Sequence, residues 1–71
     1  VTSLTVYVSS ADLVEDLMAS FRRGGCVVRR TGLRSCSVDH PADEREARIE
    51  VAFFLRAWRT RHGRVRALLA P

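Results

Sequence analysis

The hydrophobic pattern switches repeatedly between a period of two and a helical period of 3.6 within 71 residues, and this restricts the chain more than any single motif. Leu4, Val6 and Val8 alternate with Thr5, Tyr7 and Ser9, which predicts a strand with one buried face. Ser9 then stands three positions before Asp12 in a capping-box arrangement. Leu13, Leu17 and Phe21, joined by Val14 and Met18, recur at helical spacing until Arg22, Arg23, Gly24 and Gly25 stop the pattern. Cys26, Val27 and Val28 open an extended segment, Thr31-Gly32 supplies a turn signal, and Leu33 to Val38 reads as the return strand of a hairpin. A turn centred on Thr31 sets Cys26 opposite Cys36, whereas a two-residue Thr31-Gly32 turn pairs Val27 with Cys36. The first is preferred because it buries Cys26, Val28, Cys36 and Val38 together and leaves Arg29, Ser35 and Ser37 outside.

The longest element is predicted over residues 41–62. Asp39 or His40 lies near its cap, Pro41 fits its first turn, and Asp43, Glu44 and Glu46 stand where the helix dipole favours negative charge. Arg56, Arg59 and Arg61 complement the other pole, and Gly63 ends the helix near His62. Arg64 to Leu69 alternates again and closes the pattern as a short strand, with Val65, Ala67 and Leu69 on the core side.

The resulting order, strand, helix, strand, strand, helix, strand, is that of an α/β (α+β) ferredoxin-like split βαβ plait: βαββαβ, with two helices on one face of a four-stranded antiparallel sheet of order 4-1-3-2. Leu4, Val6, Val8, Cys36, Val38, Val65, Ala67 and Leu69 are expected beneath the helices. Thr5, Tyr7, Val27, Arg29, Leu33, Ser35, Ser37, Arg64, Arg66 and Leu68 are expected on the open face. A competing reading omits the last strand and leaves a βαββα unit completed by other sequence or a neighbour.

At 71 residues the expectation is a single small domain spanning 1–71, burying only about 60% of its unfolded surface, so that burial against a partner matters to its energetics. The chain has no signal-like apolar run behind a basic start and no apolar stretch near the length of a membrane span, which predicts a cytoplasmic protein without membrane contact. All twelve basic residues are arginine, and the net charge is +4. That sign permits an acidic partner. The absence of lysine reads either as use of the guanidinium fork or, more simply, as coding bias.

The strongest functional feature is the excess width of the second helix's apolar set. Ala47, Val51, Phe54, Leu55 and Trp58 form one stripe, and Ile49, Ala52 and Phe53 extend it beyond what a small sheet needs. The predicted function is non-catalytic: homodimer formation or recognition of a protein partner through Phe53, Trp58, Ile49 and Arg56. The opposing reading is that two oblique helices consume the whole apolar face. The alternative function is single-stranded nucleic-acid binding on the open sheet face through Tyr7, Arg29, Arg64 and Arg66, although the third strand lacks a stacking aromatic.

A small enzyme, or a metal or thiol site at an oligomer interface, is the third class. Cys26, Cys36, His40 and His62 are its raw material. There is no Cys-x-x-Cys pair, Asp39, Asp43 and Glu44 are explained as helix-start residues, and the double glycine lacks the lysine and hydroxyl of a phosphate loop. Neither a cofactor nor a metal is predicted.

Overall fold

A computed structural model describes all 71 residues. The elements are β1 (Thr2–Val8), a 3-10 turn (Ala11–Leu13), α1 (Val14–Arg23), β2 (Val27–Gly32), β3 (Ser35–His40), α2 (Glu44–His62) and β4 (Ala67–Leu69). The strands form one sheet in the order β2-β3-β1-β4, every pairing antiparallel, so β1 and β3 are central and β2 and β4 are edges. The chain is therefore mixed α+β, with four antiparallel strands and two helices. The reading without a last strand is overturned, because Ala67, Leu68 and Leu69 pair with Val8, Tyr7 and Val6.

Period-two alternation places Leu4, Val6 and Val8 of β1 on the same side as Val28, Cys36, Val38 and Ala67. Val14, Leu17, Met18 and Phe21 of α1, together with Ala47, Val51, Leu55 and Trp58 of α2, close over that side in one cluster. Phe21 stacks on Phe54 with ring centroids 4.3 Å apart, locking the two helices together above the sheet. Val65 and Leu69, expected in the core, pack against it half-buried.

The hairpin register corrects the sequence-based expectation. Val28 faces Val38 and Arg30 faces Cys36, so Cys26 is not opposite Cys36 and Val27 is not opposite it either. The loop is Leu33-Arg34, and Thr31 is bulged out between the Arg30 and Gly32 pairings. The difference from the expected register is an even number of residues, so the inward and outward faces survive although the partners change. Aligning Val28 with Val38 joins two branched apolar side chains in the core. It also aims Arg30 at Glu15, 3.0 Å away on α1, while the same guanidinium donates to the carbonyls of Gly32 (3.0 Å) and Leu33 (2.7 Å). Arg30 thereby holds the hairpin tip against α1.

Three termini also differ from expectation. Ser9 caps no helix: its hydroxyl accepts the N–H of Arg66 at 2.9 Å, and its own N–H donates to the Arg66 carbonyl. This side-chain bond stands in for a ladder bond and ties the approach to β4 onto the end of β1, so regular pairing starts at Ala67 rather than Arg64. Second, α2 starts at Glu44, with Asp43 as cap accepting the Glu46 N–H at 3.0 Å. Proline disfavours the helical region for the residue before it, so His40 stays extended and ends β3 opposite Thr2. Third, Leu33 lies in the loop instead of β3 and is exposed.

Candidate functional site

The outward face of α2 carries the largest departure from a closed core. With Ala47, Val51, Leu55 and Trp58 turned inward, helical geometry turns Ile49 and Phe53 outward one turn apart, and they are 62% and 72% exposed. A shallow depression of about 650 Å³, lined by Ile49, Ala52, Phe53, Arg56 and Arg59, lies on one side of this ridge. A second, of about 360 Å³, lies on the other and is lined by Ile49, Glu50, Phe53, Phe54 and Ala57. Ile49, Phe53 and Arg56 are thus brought together. The reading in which the helices consume the whole apolar face fails at these positions.

Trp58 is a correction. It is fully buried, its ring lies against that of His62 with centroids 4.3 Å apart and planes tilted by 32°, and its indole N–H donates to Asp16 Oδ2 at 3.0 Å. His62 Nε2 lies 3.1 Å from the same carboxylate oxygen. Trp58 therefore belongs to the seam between α1 and α2 and is not offered to a partner. Its stripe position placed it on the core side; only the pairing with Asp16, 42 positions away, had no sequence signal.

The open sheet face is organised in rows. Tyr7, 53% exposed, lies between Ser35 and Leu68, and Thr5 pairs with Ser37, which pairs in turn with Arg29. A depression of about 260 Å³ at the Tyr7 end is lined by Tyr7, Val8, Ser9, Arg34, Arg66 and Leu68. Tyr7 and Arg66 are brought together there, with Arg34 added from the hairpin loop. Arg29 stands on the edge strand in the next row, and Arg64 lies outside the strands in the turn after α2. At the other end the Asp39 carboxylate accepts from the Ser3 hydroxyl at 2.6 Å, placing negative charge on the same face.

No protein-family model, curated protein or solved structure matches the chain. The functional reading therefore rests on its side chains.

A small depression of about 140 Å³ is lined by Phe21, Gly24, Cys26, His40, Glu50, Val51 and Phe54. It gathers a thiol, an imidazole and a carboxylate, but their states oppose nucleophilic chemistry. His40 Nδ1 accepts the Ala42 N–H at 3.1 Å, which leaves the ring proton on Nε2, 3.5 Å from Glu50. Burial pushes the Cys26 thiol up, and the Glu50 charge pushes it further in the same direction. A reactive cysteine needs the opposite shift. Cys36 is fully buried and its thiol is likewise pushed up, chiefly by burial, with Arg30 opposing and Glu15 adding to the effect. Both thiols are free, and no group of three or more His, Cys, Asp or Glu side chains is placed to hold a metal ion. No helix is long and apolar enough to cross a membrane.

Proposed function

We propose that this chain is a ferredoxin-like plait that acts by protein association, with the outward face of α2 as its contact surface. The plait is supported by the order β2-β3-β1-β4 with antiparallel pairings throughout and by helices following β1 and β3. One observation carries the function: Ile49 and Phe53 stand exposed one turn apart while fifteen other side chains already close the core, so this apolar surface has no role inside the chain. Phe53 supplies the anchor, Ile49 widens it, and Arg56 forms a charged rim that sets orientation and encounter rate. The two free thiols suit a cytoplasmic setting, where thiols stay reduced.

Sedimentation across the micromolar range tests this reading. Association is expected to be lost in Phe53→Ser with the circular dichroism spectrum retained and the monomer's stability lowered by no more than about 2 kcal/mol. A wild-type chain that stays monomeric and captures no protein partner through this face, or a Phe53→Ser chain that associates as wild type does, refutes it.

A second reading has its own observation. Tyr7, with Arg34 and Arg66 around the same depression, offers a ring for base stacking beside two phosphate partners. Asp39 on the same face and the absence of an aromatic on β3 weigh against it. A titration with single-stranded RNA at low salt decides: saturable binding that falls with salt and with Tyr7→Ala supports it, and its absence removes it.

A further inference from the structure

We infer that the occupant of the α2 face is a second copy of this chain, whose own α2 runs antiparallel to the first across a two-fold axis. This rests on the association reading above and adds the identity and orientation of the partner.

The charges on the exposed surface of α2 are divided along its length. Glu44, Arg45, Glu46 and Glu50 occupy the first half, three carboxylates against one exposed guanidinium, whereas Arg56 and Arg61 occupy the second half with no carboxylate. Glu46 and Arg56 are separated by about 15 Å along the axis at 1.5 Å per residue, beyond the reach of a side-chain pair within one helix. A parallel second helix would set acidic half against acidic half and basic half against basic half. An antiparallel one sets each against its opposite, and the helix dipoles agree with that choice.

The same arrangement fits the shape of the ridge. A two-fold axis crossing the outer side of α2 at the level of residue 51 brings Glu46 level with Arg56 of the second copy and Phe53 level with Ile49 of the second copy, because the residue numbers of each pair share one sum. Each phenyl ring then fills the space beside an exposed Ile49, and the small side chain of Ala52, in the wall of the larger depression, leaves room for it. An isologous contact of this kind uses one patch twice and closes at two copies.

The test is a set of dissociation constants from sedimentation at low and moderate salt for the wild type, Phe53→Ser, Arg56→Glu and the double variant Glu46→Arg/Arg56→Glu, each shown to be folded by circular dichroism. The antiparallel dimer predicts that Arg56→Glu weakens association about 3- to 30-fold, as two symmetric rim pairs at ordinary surface strength would. It also predicts that the double variant returns to within about threefold of wild type and that salt weakens the wild-type dimer. A parallel dimer would barely respond to Arg56→Glu, since like would still face like. Loss of association in Phe53→Ser with an indifferent Arg56→Glu overturns the orientation while leaving the association reading intact. A wild type that stays monomeric while a different protein binds the Phe53 face overturns the second copy as occupant. Association untouched by Phe53→Ser defeats both.

Discussion

Truncating Phe53 and truncating Trp58, two aromatics on α2, separates the helix's two faces energetically. Phe53 is 72% exposed, so about 28% of an aromatic side chain of about 150–250 Å² is covered, or about 40–70 Å². At about 25 cal/mol per Å² that is about 1–2 kcal/mol, and replacement by alanine recovers about 0.5 kcal/mol through helix propensity. Phe53→Ala is therefore expected to cost about 1 kcal/mol or less in the monomer. Trp58 is fully covered, and the same arithmetic gives about 4–6 kcal/mol for its burial, within reach of the 3–5 kcal/mol typical of large-to-small changes at buried aromatics. The lost indole N–H bond adds little, because Asp16 is half exposed and can turn to water. A 71-residue domain has about 4–11 kcal/mol of total stability, so Trp58→Ala is expected to lose a third of it or more and to shift the urea midpoint steeply downward. Urea denaturation followed by far-ultraviolet circular dichroism, at concentrations where the wild type is monomeric, measures both. A loss above about 2 kcal/mol for Phe53→Ala would place its ring in the core and undo the surface argument. A loss below about 1 kcal/mol for Trp58→Ala would show that the α1–α2 seam does not depend on it.

Arg30→Ala is expected to cost about 1 kcal/mol and to speed amide exchange at residues 31–35 selectively, since it removes the Glu15 pair and both carbonyl contacts at the hairpin tip; uniform exchange changes would refute a local role. Both thiols are pushed above their ordinary value, so the folded state holds their protons longer than the unfolded one, and stability is expected to be full below about pH 9 and to fall as pH rises through the folded values. Cys36→Ala should flatten that alkaline decline, and in the wild type Cys36 should react with a thiol reagent only at the rate of unfolding; rapid labelling at neutral pH would contradict its burial. Gly63 ends α2 at a φ of +68°, so Gly63→Ala is expected to lower stability by about 1 kcal/mol, read as a shift in urea midpoint.

Element order and inward faces were legible because they depend on periodicity, which is local. Leu4, Val6, Val8, Cys36 and Val38 all turn inward as their alternation requires. Register was not legible, because a slip of an even number of residues leaves every face unchanged and the Leu33-Arg34 loop has none of the Gly or Asn signals that mark a two-residue turn. The closeness of Arg34 to Tyr7 follows from that register and has no signal of its own in the sequence. The excess apolar width of α2 is visible in the pattern, and the stripe of Ala47, Val51, Leu55 and Trp58 sets Trp58 on the core side. How far α1 and the sheet reach round the helix is not local, and it leaves Phe53 exposed.

The exclusive use of arginine acquires a structural meaning. Arg48 sends two guanidinium N–H groups, at 2.9 and 2.8 Å, to the carbonyl of Ala70, and Arg59 reaches the carbonyl of Ala67 at 3.0 Å. Arg30 does the same at the hairpin tip. In each case a flat, multi-donor head satisfies backbone acceptors beside a sheet edge, which an ammonium would serve with fewer fixed bonds. Arg59 fastens α2 to the short strand β4, and Arg48 fastens it to Ala70 just beyond that strand. A helix fixed in this way cannot roll to bury Ile49 and Phe53 without breaking those carbonyl bonds. The same arginines that close the sheet therefore keep the apolar ridge of α2 turned to the outside.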